Sequence, residues 1–174
     1  MKIEKIQEII INDITKLNEF IVKNLYSNIE LITTVSNYLI QNSGKKLRPT
    51  LMLLMLRALN CEIQEKHIKV ACAIEYIHTA TLLHDDVIDN SNVRRKQFTV
   101  NKKWDNKTAI LVGDFLYSRA IQLVTEVHNL NVLNIITTTT NFTAEGEILQ
   151  LILQKKEIIS EEDCFTIIQN KTAK

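Results

Sequence analysis

Glu75-Tyr-Ile-His-Thr-Ala-Thr-Leu-Leu-His-Asp-Asp-Val-Ile-Asp-Asn-Ser-Asn-Val-Arg-Arg95 begins as an apolar helix and ends in three carboxylates, with two arginines after a short polar break. Asp85 and Asp89 are four apart and Asp86 and Asp89 three apart, so a helix projects all three from one face. His78 lies two turns back along the same stripe. Asn90-Ser91-Asn92 reads as a helix stop, which places the aspartates in the last turn, where the helix dipole already disfavours negative charge. Mutual repulsion adds to that cost. A cation would remove both penalties, and an oxygen-only ligand set of Asp85, Asp86 and Asp89 suits Mg²⁺ rather than zinc. The alternative is a solvated acidic helix end with Arg94 and Arg95 as its partners.

Working outward, 174 residues suffice for one domain with a substantial core. An apolar fraction of 45% and a charged fraction of 24% are ordinary for a globular protein, and a net charge of +1 offers no field for nucleic acid. Three glycines and one proline are too few for many tight turns, and point to long helices. Cys61, Cys72 and Cys164 form no metal-like spacing, so reduced thiols in a cytoplasmic protein are expected. No apolar run approaches the roughly 20 residues of a membrane span.

Seven helices follow from the periodicity. Ile3, Ile6, Ile10, Ile14, Leu17, Ile21 and Leu25 mark the first. The second runs from about Asn28, with Ile32, Val35 and Leu39 inward, and stops at Gln41-Asn-Ser-Gly44. Pro49 suits the first turn of the third, which leaves Lys45, Lys46 and Arg48 at a helix N-terminus, a ready anion site or a basic, solvated connector. The fourth, Ile63 to Asp89, is nearly apolar and therefore central. After a basic loop, Ser91–Lys103, Trp104-Asp105 opens the fifth helix. Gly113 in that helix implies a close helix approach, and Asp114 is either a satisfied buried acid or a supporting partner of the metal site. The sixth starts at Asn131 and runs to Leu151. In it Glu145 and Glu147 are two apart and face different ways. Ser160-Glu-Glu-Asp163 caps the seventh, which reaches Lys174 in mid-pattern and suggests a truncated chain. The reading is an all-α fold without strands.

In Gly44-Lys-Lys-Leu-Arg-Pro49, Ile77-His-Thr-Ala-Thr-Leu-Leu-His-Asp-Asp-Val-Ile-Asp89, Arg94-Arg95, Leu111-Val-Gly-Asp-Phe115, Ala144-Glu-Gly-Glu147 and Lys171-Thr-Ala173, the chain resembles the trans-polyprenyl diphosphate synthases, close to the long-chain octaprenyl type. The resemblance implies that residues 1–174 form a single, incomplete domain, the N-terminal part of an isoprenoid-synthase helical bundle. It implies elongation of an allylic diphosphate, such as farnesyl diphosphate, with isopentenyl diphosphate. Asp85, Asp86 and Asp89 would hold Mg²⁺ against the allylic diphosphate, helped by Arg94, Lys171 and Thr172. Lys45, Arg48, His78 and Arg95 would bind isopentenyl diphosphate. Ala80, five before the first aspartate, would leave room for a long product, although a small residue for helix packing explains it equally. A homodimer, and at most peripheral contact with membranes, are expected on the same basis.

Two departures matter. The family pattern after the arginine pair is Gly-x-Pro-Thr, whereas this chain has Lys96-Gln-Phe-Thr99. The family's second aspartate motif lies beyond the lysine–threonine pair, so little turnover is expected of these residues alone. A non-catalytic half-chain that binds a complementing synthase subunit is the first alternative. A metal phosphohydrolase built on His84-Asp85, with His67 and His78, is the second. Adjacent residues point in different directions on a helix, so that doublet would share a metal poorly.

Overall fold

The computed structural model describes residues 8–156 and 158–173; Ile3 and Ile6 lie outside them. Eight α-helices and one small hairpin appear among the described residues, in two compact units, one ending at His128 and one beginning at Asn129.

In the first unit, α1 (Ile11–Asn24) and α2 (Glu30–Gln41) behave as their periodicity dictates. Ile10, Leu17, Ile21, Leu25 and Val35 are buried, and Ile14, Ile32 and Leu39 half-buried. α3 (Leu47–Ala58) has Pro49 in its first turn, as expected, behind a left-handed Lys46 with φ 48°. α4 (Glu65–Ile88) is the central helix and packs against α1, α3 and a later helix, α6 (Asn106–Thr125). Small residues along the seam, among them Ala73, Ala80, Ala109 and Ala120, are fully buried and let the two axes come close. Gly113 completes this approach, because a Cβ there would collide with the His84 imidazole.

Two polar ties hold the helices in register. The Tyr76 hydroxyl donates to the Ile21 carbonyl at 2.8 Å, joining α4 to α1 inside the core. Asp13, only 2% exposed, accepts three bonds of 2.8–3.0 Å from the Arg57 guanidinium, joining α1 to α3. Burying a carboxylate at that depth is costly unless such a partner meets it.

The segment read from sequence as a loop contains secondary structure. β1 (Val93–Arg94) and β2 (Gln97–Phe98) pair antiparallel, Val93 opposite Phe98, around a two-residue turn in which Arg95 and Lys96 both have positive φ, 52° and 66°. The strand-free reading is therefore corrected. Such turns usually announce themselves with Asn-Gly, and Arg-Lys carries no such signal. Next, α5 (Val100–Lys103) leads to Asp105, whose side chain caps α6 by accepting from the Thr108 N–H at 2.7 Å.

The second unit holds α7 (Leu130–Leu153), capped by the Asn129 side chain, and α8 (Glu161–Ile168), which carries the expected Ser160–Asp163 capping box. From Gln169 to Ala173 the last helix widens into a π-turn, a change that apolar periodicity does not reveal.

Two stability tests follow. Arg57→Ala strands the Asp13 carboxylate and is expected to cost about 2–3 kcal/mol in urea unfolding, less than a fully buried pair because Arg57 is half-exposed. Arg57→Ala with Asp13→Leu should recover most of that loss. Lys96→Gly relieves a left-handed lysine and should gain about 0.5–1 kcal/mol; an equal or lower midpoint would show that the turn is unstrained.

Candidate active site

The C-terminal half of α4 collects the site. The Asn90–Asn92 stop behaves as expected, with Asn90 left-handed at φ 52°. The Ser91 N–H donates to the Asp86 carbonyl at 2.9 Å, and the Asn101 side-chain amide donates to the Asp86 and Ser91 carbonyls at 3.2 and 3.0 Å. These bonds satisfy a helix end that would otherwise leave bare carbonyls beside three carboxylates.

The three aspartates divide by environment. Asp86 is 4% exposed, and both its oxygens are taken by Arg94, with Nε at 3.0 and 3.2 Å and Nη2 at 2.8 Å. The fork raises the Arg94 pKa further above its ordinary value, and Asp85 and Asp89 add to the effect. Asp86 is thus paired with Arg94. Asp85 and Asp89 lie one helical turn apart at the same helix end. Among the described residues no three Asp, Glu, His or Cys side chains form a metal cage. Two carboxylates are nonetheless what Mg²⁺ takes from a protein when phosphate oxygens and water complete its shell, so the donor set fits.

A cationic cradle adjoins this pair. Arg48 Nη1 lies 3.2 Å from His78 Nε2. Arginine only donates, so that nitrogen accepts and the imidazole proton resides on Nδ1. Burial, with Arg48, Arg95 and Arg94 nearby, pushes the His78 pKa down to about 4, consistent with a neutral ring. The Arg95 guanidinium lies flat on Gly44, where any Cβ would collide with it, and donates to the Asn42 carbonyl at 3.3 Å. Lys46 leans on the Ser43 hydroxyl at 3.0 Å.

A cavity of about 80 Å³ opens beside these groups, bordered by Tyr38, Asn42, Glu75, His78, Asp86, Arg94 and Arg95, with Leu82 and Leu83 as apolar wall. Tyr38 seats the hairpin by donating to the Phe98 carbonyl at 2.5 Å, and Lys103 stacks over its ring at 4.0 Å. Glu75, missed in the sequence, is a buried carboxylate on this wall. Burial raises its pKa, while Lys46, Arg48 and Arg95 pull it down. Its signal was available, since it lies three residues before His78 on the same apolar helix.

Other predicted residues lie elsewhere. Ala80 is fully buried and borders neither this cavity nor a second one between α1, α2 and α4. Lys171 and Thr172 belong to the second unit. There the Lys171 ammonium is bound by Glu147 at 2.6 Å and Gln150 at 3.2 Å. Glu145 instead accepts from Asn141, so the two glutamates do face different ways. The histidines have separate partners: His67 accepts from the Gln64 N–H, His78 meets Arg48, and His84 turns onto α6, 3.3 Å from the Ile110 carbonyl and 3.5 Å from Asp114. The His–Asp phosphohydrolase reading has no shared metal position in this arrangement. Asp114 is exposed and simply pairs with His84.

The geometry has close counterparts. The chain is 41% identical to the octaprenyl diphosphate synthase of Escherichia coli (strain K12) over 174 residues, all of this chain and 54% of that protein. A decaprenyl diphosphate synthase from Rhodobacter capsulatus superposes with a TM-score of 0.92 at 37% identity, over 98% of this chain and 52% of that one. A polyprenyl synthase from Caulobacter crescentus CB15, complexed with calcium and isoprenyl diphosphate, gives 0.93 at 35% identity, over 99% and 52%. This chain therefore spans about half the length of the relatives it matches. The polyprenyl synthetase family model matches residues 29–174, which include the paired aspartates, the arginine fork and the basic cradle. On sequence and fold alike, the chain belongs to the polyprenyl synthetase family.

Proposed function

We propose that residues 1–174 form a single, incomplete synthase domain carrying the substrate-binding half of a cytoplasmic trans-polyprenyl diphosphate synthase. Such an enzyme adds isopentenyl diphosphate to an allylic diphosphate, such as farnesyl diphosphate, to make a long, octaprenyl-like product. The observation that carries this reading is the gathering of Asp85, Asp86 and Asp89 at the end of α4 beside Arg94, which Asp86 grips through both its oxygens.

In this reading the isopentenyl diphosphate anion rests in the cradle of Lys45, Arg48, His78 and Arg95. Gly44 lets the Arg95 guanidinium approach the backbone, and His78, neutral and accepting from Arg48, keeps its Nδ1–H as a donor. Asp85, Asp86 and Asp89 would hold Mg²⁺, which would neutralise the charge that grows on the leaving diphosphate. Arg94 supplies fixed donors to the same group, so no reorganisation is required as the allylic C–O bond breaks. Lys171 and Thr172 are assigned to that diphosphate as well. The isopentenyl double bond then attacks the allylic carbon and a proton leaves, accepted by the departing diphosphate. Leu82 and Leu83 keep water from the cation. Ala80 contributes bulk low enough for a long product.

A second reading is a half-chain that works only with a complementing synthase subunit. A homodimer is the assembly proposed for the first reading. Among the described residues no helix is long and apolar enough to cross a membrane. Peripheral contact with a membrane is proposed because a long prenyl product is itself a lipid.

Prenyl transfer from labelled isopentenyl diphosphate to farnesyl diphosphate, with Mg²⁺ and with Asp85→Ala as control, tests the proposal. Labelled long product that vanishes in the variant is expected of a self-sufficient enzyme. Product that appears only on mixing with a complementing chain is expected of the second reading. No product under either condition, and no Mg²⁺-dependent diphosphate binding, would contradict both.

A further inference from the structure

The second unit holds Lys171, proposed above as a diphosphate ligand, on two acceptors at once. Glu147 Oε1 lies 2.6 Å from Lys171 Nζ, and Gln150 Oε1 accepts from the same ammonium at 3.2 Å. Both acceptors are on α7, three residues apart and so on one face. Lys171 comes from the π-turn Gln169–Ala173. A π-turn adds a residue to the repeat and changes the direction in which the next side chains leave the axis. Gly146 makes the approach possible: a Cβ there would lie 3.1 Å from the Lys171 backbone nitrogen and 3.1 Å from Asn170 Cβ, tighter than ordinary contact. Glycine, glutamate, glutamine and π-turn thus converge on one ammonium group.

We infer that Glu147 is a positioning residue, which together with Gln150 aims Lys171 at an anionic oxygen of a diphosphate. An ammonium has three N–H donors. Glu147 and Gln150 take two, which leaves the third with a set direction. A lysine loses much rotamer freedom when it grips an anion, and one already held on two acceptors has lost it beforehand. The inference rests on the proposed role of Lys171 as a diphosphate ligand. It adds a role for the Glu147 carboxylate, which by its charge alone opposes an anion.

That opposition gives the test its sign. Inorganic diphosphate is titrated calorimetrically into the 174-residue chain with excess Mg²⁺, and into Lys171→Ala, Glu147→Ala, Glu147→Gln and the double alanine variant. Lys171→Ala is expected to weaken binding about tenfold, and Glu147→Ala about three- to tenfold, as for a charge-assisted contact that loses its orientation. Glu147→Gln, which still accepts from the ammonium, is expected to bind as tightly as the parent or more tightly. In the Lys171→Ala background, Glu147→Ala should have no further effect, because its influence passes through the lysine. Binding that is unchanged or tighter in Glu147→Ala, with Lys171→Ala still weak, would overturn the positioning role alone. Unchanged binding in Lys171→Ala, or none by the parent chain, would overturn the reading of Lys171 and this inference with it. Far-ultraviolet circular dichroism on each variant separates lost binding from lost folding.

Discussion

The buried fork between Asp86 and Arg94 is the contact on which the first unit's chemistry depends. Asp86 sits near the C-terminal end of a 24-residue helix, where backbone carbonyls already concentrate negative charge, and it is almost fully withdrawn from water. A buried carboxylate in that position calls for a cation that meets it with good geometry. Arg94 does so with both oxygens engaged. The same bond ties the hairpin to α4 and brings Arg95, the next residue, back over Gly44. Charge balance and loop placement are one event here.

The cradle is built from backbone that most residues avoid. Lys46, Arg95 and Lys96 all have positive φ without being glycine. Strain of this kind persists when surrounding contacts over-determine it. The contacts are visible: Arg95 on the Asn42 carbonyl, Tyr38 on the Phe98 carbonyl, Lys103 stacked on Tyr38 and Trp104. Together they fix basic groups around a small cavity before any anion arrives. The second unit applies the same economy to a single lysine.

Much of this was legible from local chemistry. The stripe Ile10–Leu17–Ile21–Leu25, the Asn90 stop, the Ser160 box and the close approach at Gly113 each follow from rules that act within a few residues, and each is present. The three carboxylates on one face were legible too, as were Arg94 and Arg95 as their partners. Which aspartate Arg94 meets was not, because that depends on where a hairpin returns eight residues later. The hairpin itself escaped notice because Arg95-Lys96 lacks the usual turn residues. Asp13 with Arg57 and Glu147 with Lys171 join residues 44 and 24 positions apart, and periodicity cannot pair them. Ala80 illustrates the opposite case: a small residue fits both a product tunnel and helix packing, and burial alone does not tell the two apart.

The central proposal is that Asp85, Asp86 and Asp89 together hold the metal, with Asp86 also anchoring Arg94. Electron paramagnetic resonance of Mn²⁺ with inorganic diphosphate tests it most directly, in the parent chain and in Asp85→Asn, Asp86→Asn and Asp89→Asn. Protein-bound Mn²⁺ is predicted in the parent, with binding lost or weakened in each of the three variants. Bound Mn²⁺ that survives unchanged in all three would contradict the proposal.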